Sequence, residues 1–71
     1  MSGEIHSVAF YKGRWTEQEA REWMRKHNLK PIKDVHITKH TFRYRIIDPE
    51  EFKTFSTIKT TDKINLIIGY K

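Results

Sequence analysis

Arg43 and Arg45 alternate with Phe42, Tyr44 and Ile46, and that spacing is the most chemically suggestive feature of this 71-residue chain. A period of two marks a strand. It sends both guanidinium groups to one face and the three apolar side chains to the other. A register slip of one residue would bury the arginines without partners, at high cost, so the alternation fixes which face is which. Tyr11, on a strand nearer the N-terminus, and His36, on a neighbouring strand, are expected on the same face as the arginines. Aromatic rings and guanidinium planes stack on exposed bases while cationic heads follow phosphates, which is how open sheets hold single-stranded nucleic acid. The candidate nucleic-acid-binding residues are therefore Arg43, Arg45, Tyr11 and His36, with the loop lysines Lys39 and Lys12. The segment Phe42-Arg43-Tyr44-Arg45-Ile46 does not match the aromatic consensus of an RNA-recognition motif. The competing reading is a solvated face whose arginines pair with acids.

Other chemistries find less support. With no cysteine there is no disulfide, no thiolate-bound zinc and no cysteine nucleophile, and a reducing compartment is expected. The four histidines, His6, His27, His36 and His40, show no helical H-x-x-x-H spacing and no acid cluster beside them, so no metal is expected. His27 reads as a cation at a helix C-terminus. Glu50 and Glu51 are explained by a helix start, no glycine-rich phosphate loop is present, and local context suggests no Ser/His/Asp set. A ligand pocket of the usual few hundred Å³ is expected to be hard to fit in so short a chain. The reading is a protein that is not an enzyme, with no cofactor and no small-molecule substrate.

The formal charge of +5 and pI near 9.7 fit a polyanion partner, and equally a merely basic soluble protein. The opening MSGEIHSVAF lacks the apolar run of a signal peptide, and no window approaches the ~20 apolar residues of a membrane span, so an intracellular, soluble chain is expected. The length suits a single domain over 1–71.

The elements that must position these residues emerge from local patterns. Residues 6–11 read as a strand with Val8 and Phe10 on one face and Ser7, Ala9 and Tyr11 on the other. Thr16-Glu17-Gln18-Glu19 has capping-box spacing, and Ala20, Trp23, Met24 and His27 share one helical face. Trp15, Trp23 and Met24 read as core, Asn28 as a left-handed stop. Pro31 to Ile47 is too long for one strand and divides into a hairpin turning at residues 38–41. Asp48-Pro49-Glu50-Glu51 opens a second, two-turn helix ending near Phe55. Residues 57–63 are expected to be loop, and 64–70 the last strand. The order βαββαβ predicts an α+β, ferredoxin-like domain: a four-stranded antiparallel sheet, first and third strands central, with two helices on one face and the other face open.

With those elements placed, the chain resembles a family of short phage- and virus-encoded domains of uncharacterised function. The shared features are Ile5-His6-Ser7-Val8, a helix opening Trp15-Thr16 with Ala20 and Trp23-Met24, then Asp34-Val35-His36, Tyr44-Arg45, Asp48-Pro49 followed by Phe52, and Ile68-Gly69. The resemblance covers nearly the whole chain and implies a viral or prophage origin, in host cytoplasm or virion. It brings no functional residues with it. Asp62-Lys63-Ile64 stands where the family often reads Gly-x-Gly-Ile.

The resulting expectation is a small non-enzymatic binding module that uses its open sheet face, with nucleic acid the favoured partner and no membrane role. The alternative is a protein-interaction or virion-assembly module that contacts a viral or host protein, or itself, through a sheet edge or through a face with Ala9 and Ile67 at its centre. A concentration-dependent mass, unaffected by Arg43→Ala plus Arg45→Ala, would favour the alternative, and a structure would show whether Arg43, Arg45 and the lysines at 12, 39, 59 and 63 form one patch or several.

Overall fold

A computed structural model describes residues 3–71; Met1 and Ser2, the first residues of the segment read for a leader, lie outside the described residues. The strands are β1 (Glu4–Tyr11), β2 (His36–Ile37), β3 (Thr41–Arg45), β4 (Thr54–Lys59) and β5 (Ile64–Tyr70), and the one α-helix is α1 (Glu17–Lys26). They form a five-stranded sheet in the order β2-β3-β1-β5-β4, with every neighbouring pair antiparallel.

α1 begins where the capping spacing predicts. The Glu19 amide donates to Thr16 Oγ1 at 3.2 Å, and the Thr16 amide donates to Glu19 Oε1 at 3.0 Å. It ends in a left-handed Asn28 (φ 57°), with the Leu29 amide donating back to the Met24 carbonyl at 2.9 Å. Its buried residues are Ala20 and Met24. They meet Val8, Phe10, Tyr44 and Ile64 to form the core. Phe10 is fully buried and lies edge-on to Trp15, Trp23 and Tyr44, with centroids 5.3, 5.5 and 5.9 Å away. Each such aromatic pair contributes about 0.5–1.5 kcal/mol beyond the area it buries.

The ferredoxin-like expectation is overturned: the sheet has five strands, not four, and only α1 packs on it. The second helix fails after one turn. Asp48 caps, Pro49 opens, and a 3-10 turn forms over Pro49–Glu51. Phe52 is already extended at φ −125°, ψ 150°. The start signals are sound, but the next segment, Thr54-Phe55-Ser56-Thr57-Ile58, is rich in β-branched and aromatic residues with little tendency to propagate a helix. That stretch forms β4 instead, within the segment read as helix end and loop. β4 pairs in register with β5, from Thr54↔Tyr70 to Lys59↔Asn65.

Pairing between β1 and β5 shifts at a bulge between Ile5 and Ser7. Ile5 packs toward the core. His6 then turns to the opposite face, where its ring meets Phe55 at 5.1 Å and Phe52 at 6.1 Å. The chain between β3 and β4 crosses this end of the sheet and lays Phe52 over Gly69. A Cβ at Gly69 would fall 2.3 Å from Phe52 Cγ, so only glycine lets the ring approach.

Gly69→Ala is expected to destabilise the fold by about 1–3 kcal/mol, the usual range for overpacking. Urea denaturation measures this, and an unchanged midpoint would mean that Phe52 has room to move.

Candidate nucleic-acid interface

The strand registers assign every residue of the sheet face opposite α1. Ser7 pairs with Arg45, Ala9 with Arg43 and Tyr11 with Thr41. His36 pairs with Arg43. On the other side of β1, Ser7 pairs with Ile67 and Ala9 with Asn65, and these pair in turn with Thr57 and Lys59. Paired residues point the same way, so this face carries Arg43, Arg45, His36, Tyr11 and Lys59 around a floor of Ser7 and Ala9. Arg43 is exposed and Arg45 half-buried. Phe42 and Tyr44 face α1, as the alternation predicts, and Tyr44 belongs to the core. Among the described residues the ion pairs are Arg21–Glu17 and Lys71–Glu4, so neither Arg43 nor Arg45 is paired with an acid.

At one end of the face the loops after β1, between β2 and β3, and between β4 and β5 come together. Backbone bonds tie them: the Lys12 amide donates to the His40 carbonyl at 2.9 Å, and the Tyr11 amide to the Lys63 carbonyl at 3.1 Å. The Trp15 indole donates to the Asp62 carbonyl at 2.7 Å. Together they enclose an open concavity of about 820 Å³. Lys12, Arg14, Lys39, Lys59, Lys63 and His40 line it with no acidic side chain, and Tyr11 and Asn65 form its floor, joined by a 3.0 Å bond from the Asn65 amide to the Tyr11 hydroxyl. Two of the cations rest on aromatic faces, Lys12 5.5 Å from the Phe42 ring and Arg14 4.7 Å from Trp15. The acids Glu4, Asp48, Glu50 and Glu51 lie at the other end of the strands. Asp62 lies in the loop between β4 and β5 at the basic end, and Lys53 and Lys71 lie at the other end, so the basic concavity is a local gathering of charge.

The turn that carries Lys63 is strained. Lys63 has φ 62°, a left-handed conformation that costs a side chain with a Cβ about 1–2 kcal/mol. Glycine is the ordinary occupant of such a position. The fold keeps a lysine there, and the lysine lines the concavity.

The predicted residues thus fall into two adjoining groups. Tyr11, Lys12 and Lys39 line the concavity, while Arg43, Arg45 and His36 lie on the sheet that extends from it. The lysines at 12, 39, 59 and 63 share the one concavity. Sequence reading missed Arg14, His40, Asn65 and the exposed Phe55. Phe55 was legible in the alternation Phe55-Thr57-Lys59, provided the threonine-rich segment was taken as a strand. His27 is stacked on Trp23 at 3.8 Å, its Nδ1 2.8 Å from the Trp23 carbonyl.

Besides the basic concavity, an open groove of about 1260 Å³ runs beside the end of α1, floored by Met24, Leu29, Val35 and Tyr44. No trio of His, Asp or Glu converges as a metal set among the described residues, and no helix of theirs is long and apolar enough to cross a membrane. Compared with known protein families, curated proteins and solved structures, the chain matches none of them.

At the far end of the face, His6 is buried and neither ring nitrogen has a hydrogen-bond partner among the described residues. Burial holds its pKa below the ordinary 6.5; Arg45 and Arg43 push it the same way, and Asp48 opposes them. The unfolded chain therefore takes up the proton first as pH falls. The stability associated with neutral His6 is present above about pH 6.5 and is lost as pH falls from there toward the lower folded pKa. Melting wild type and His6→Phe at pH 7.5 and pH 5.5 is expected to show a smaller acid-induced drop in the variant. Equal drops would place the acid sensitivity elsewhere.

Proposed function

We propose that this chain is a small non-enzymatic nucleic-acid-binding module, of the phage- or virus-encoded kind its sequence resembles, that grips phosphates in the basic concavity and along Arg43 and Arg45. The observation that carries this reading is the concavity. Of the fourteen lysines and arginines, five converge on one loop end with no acid in the lining. Like charges this close repel one another, and salt relieves that repulsion only in part, because the screening length is about 8 Å at physiological ionic strength. A polyanion removes the repulsion and gains entropy by releasing its condensed counterions. Arg43 and Arg45, free of acidic partners among the described residues, extend the positive strip across the sheet. The guanidinium groups supply planar donors suited to phosphate and base edges, and the lysines supply mobile point charges.

A second reading, self-association through β4, is favoured by one observation. β4 is an edge strand whose six residues are all exposed, Ile58 at 50% among them. Such an edge is a template for pairing with another strand. A measured mass that rises with concentration, unchanged in Arg43→Ala plus Arg45→Ala, favours this reading over nucleic acid.

Binding to single- and double-stranded oligonucleotides, titrated with salt, tests the first reading. A dissociation constant tighter than ~10⁻⁴ M at physiological salt is expected, with log K falling linearly with log salt. Neutralising Lys12 and Lys39, or Arg43 and Arg45, is expected to flatten the slope by about one for each phosphate no longer neutralised. Affinity weaker than ~10⁻⁴ M, the usual non-specific range, sinks the proposal. Lys63→Gly separates stability from binding. Relief of the left-handed strain, less the entropy cost of glycine, is expected to raise stability by about 0.5–1 kcal/mol while affinity falls. A variant that is more stable and binds as well as wild type would show that the strained lysine serves no ligand.

A further inference from the structure

We propose that the nucleic acid is single-stranded and that Phe55 is the ring on which one of its bases stacks; this rests on the nucleic-acid reading and adds the form of the ligand. Phe55 pairs with Gly69, which puts it on the face of Lys59, Arg43 and Arg45, opposite α1. Its side chain is a large apolar group left 46% exposed. Phe52, three residues earlier, is buried to 8% in the same cluster. Burial was therefore within reach of this segment, and Phe55 remains open.

The ring is also held in place. His6 lies edge-on to it at 5.1 Å with an interplanar angle of 64°, and Phe52 at 5.9 Å and 74°. Two contacts orient the ring and its 46% exposure leaves part of it free, which makes a platform that needs little ordering when a base arrives. Four residues along β4 stands Lys59, a strand length of about 13 Å at the usual rise per residue, and Lys59 opens the basic concavity. Arg45 pairs with Ser7 next to His6, and its charge reaches the imidazole. On this one face Phe55, Arg45, Arg43 and the basic cradle therefore follow one another in the strand direction, with the arginines on β3, across β5 and β1 from Phe55 on β4.

This order discriminates between strand forms. In a duplex the bases are stacked on each other, and a ring standing on a flat sheet meets only sugar and phosphate. A single strand offers its bases' π-faces to the ring while its phosphates continue toward the cations. Tyr11, another aromatic of the face, is half-buried with its hydroxyl held by Asn65, and serves as floor.

The test is fluorescence anisotropy with labelled single-stranded DNA, single-stranded RNA and duplex DNA of one sequence, on wild type, Phe55→Leu and Phe55→Trp. Wild type is expected to prefer both single strands to the duplex. Phe55→Leu, which keeps an apolar side chain at an exposed position, is expected to weaken single-strand binding about 5- to 150-fold, with the salt slope unchanged. Phe55→Trp is expected to restore it. Matching melting curves confirm that the variants fold. Equal affinity for duplex and single strands, or a Phe55→Leu variant that binds single strands like wild type, overturns this inference and leaves the nucleic-acid reading standing. Binding of no strand form by wild type overturns both.

Discussion

The contact on which the rest depends is Phe10 at the centre of an aromatic cluster. It is fully buried, and Trp15, Trp23 and Tyr44 surround it edge-on. Those rings come from the entry to α1, the middle of α1 and β3, so one side chain fixes the helix against the sheet and β3 against β1. Strand alternation does the rest. With Phe10 and Val8 turned toward α1, Ser7, Ala9 and Tyr11 must face the other way, and with Tyr44 turned inward, Arg43 and Arg45 must emerge opposite. The arginine face is the other side of the core-forming register. A mutation that slipped β3 by one residue would place two guanidinium groups under the helix, where their desolvation cost far exceeds the stabilisation that the remaining contacts supply.

One helix covers only part of a five-stranded sheet, and this sets the positions of the exposed groups. α1 packs over β1, β3 and the start of β5, leaving β4 exposed along its length. The crossing segment at residues 46–53 covers one end of the opposite face, with Phe52 resting on Gly69. No helix lies on the remainder of that face, although its Ser7 and Ala9 are buried, and it leads into the three cross-bonded loops. Those loops are short, and backbone hydrogen bonds join them, so their cations are held near each other by structure and not by attraction. Lys63 in a left-handed conformation belongs to the same pattern. Its left-handed backbone places Lys63 at the rim of the concavity.

The parts legible in the sequence were those decided within a few residues. Thr16 and Glu19 bond to each other across one helical turn, Asn28 stops the helix by its own conformation, and the Phe42-to-Ile46 alternation sets its own faces. The parts that were not legible depended on a choice between two local signals or on distant pairing. Asp48-Pro49-Glu50-Glu51 is a genuine helix start, and it did produce a turn, but the threonine and aromatic content after it favoured β4 once β5 was there to pair with. That single choice added a strand, removed a helix and changed the fold class. It also hid Phe55, whose face shows only once residues 54–59 are taken as a strand. The basic concavity was half legible. Lys12 and Lys39 flank recognisable turns, whereas Arg14, His40 and Asn65 join them only because antiparallel order brings three loops to one end.

The bulge at His6 shows how these consequences connect. An unbroken alternation through β1 would put His6 beside Val8, under α1 among the core side chains. The bulge between Ile5 and Ser7 resets the count, so Ile5 still reaches the core while His6 turns to the arginine face. There its carbonyl receives the Ile46 and Ile47 amides at 2.7 and 3.2 Å, which carries the β3 side of the sheet past its last strand residue and directs the chain into the crossing segment. Its ring, meanwhile, braces Phe55 and Phe52. A polar ring with no hydrogen-bond partner among the described residues is a costly choice for such a brace, and a phenylalanine would serve packing better. Histidine adds a dependence on charge. Burial disfavours protonation of the ring, the nearby Arg45 and Arg43 act in the same direction, and Asp48 opposes them.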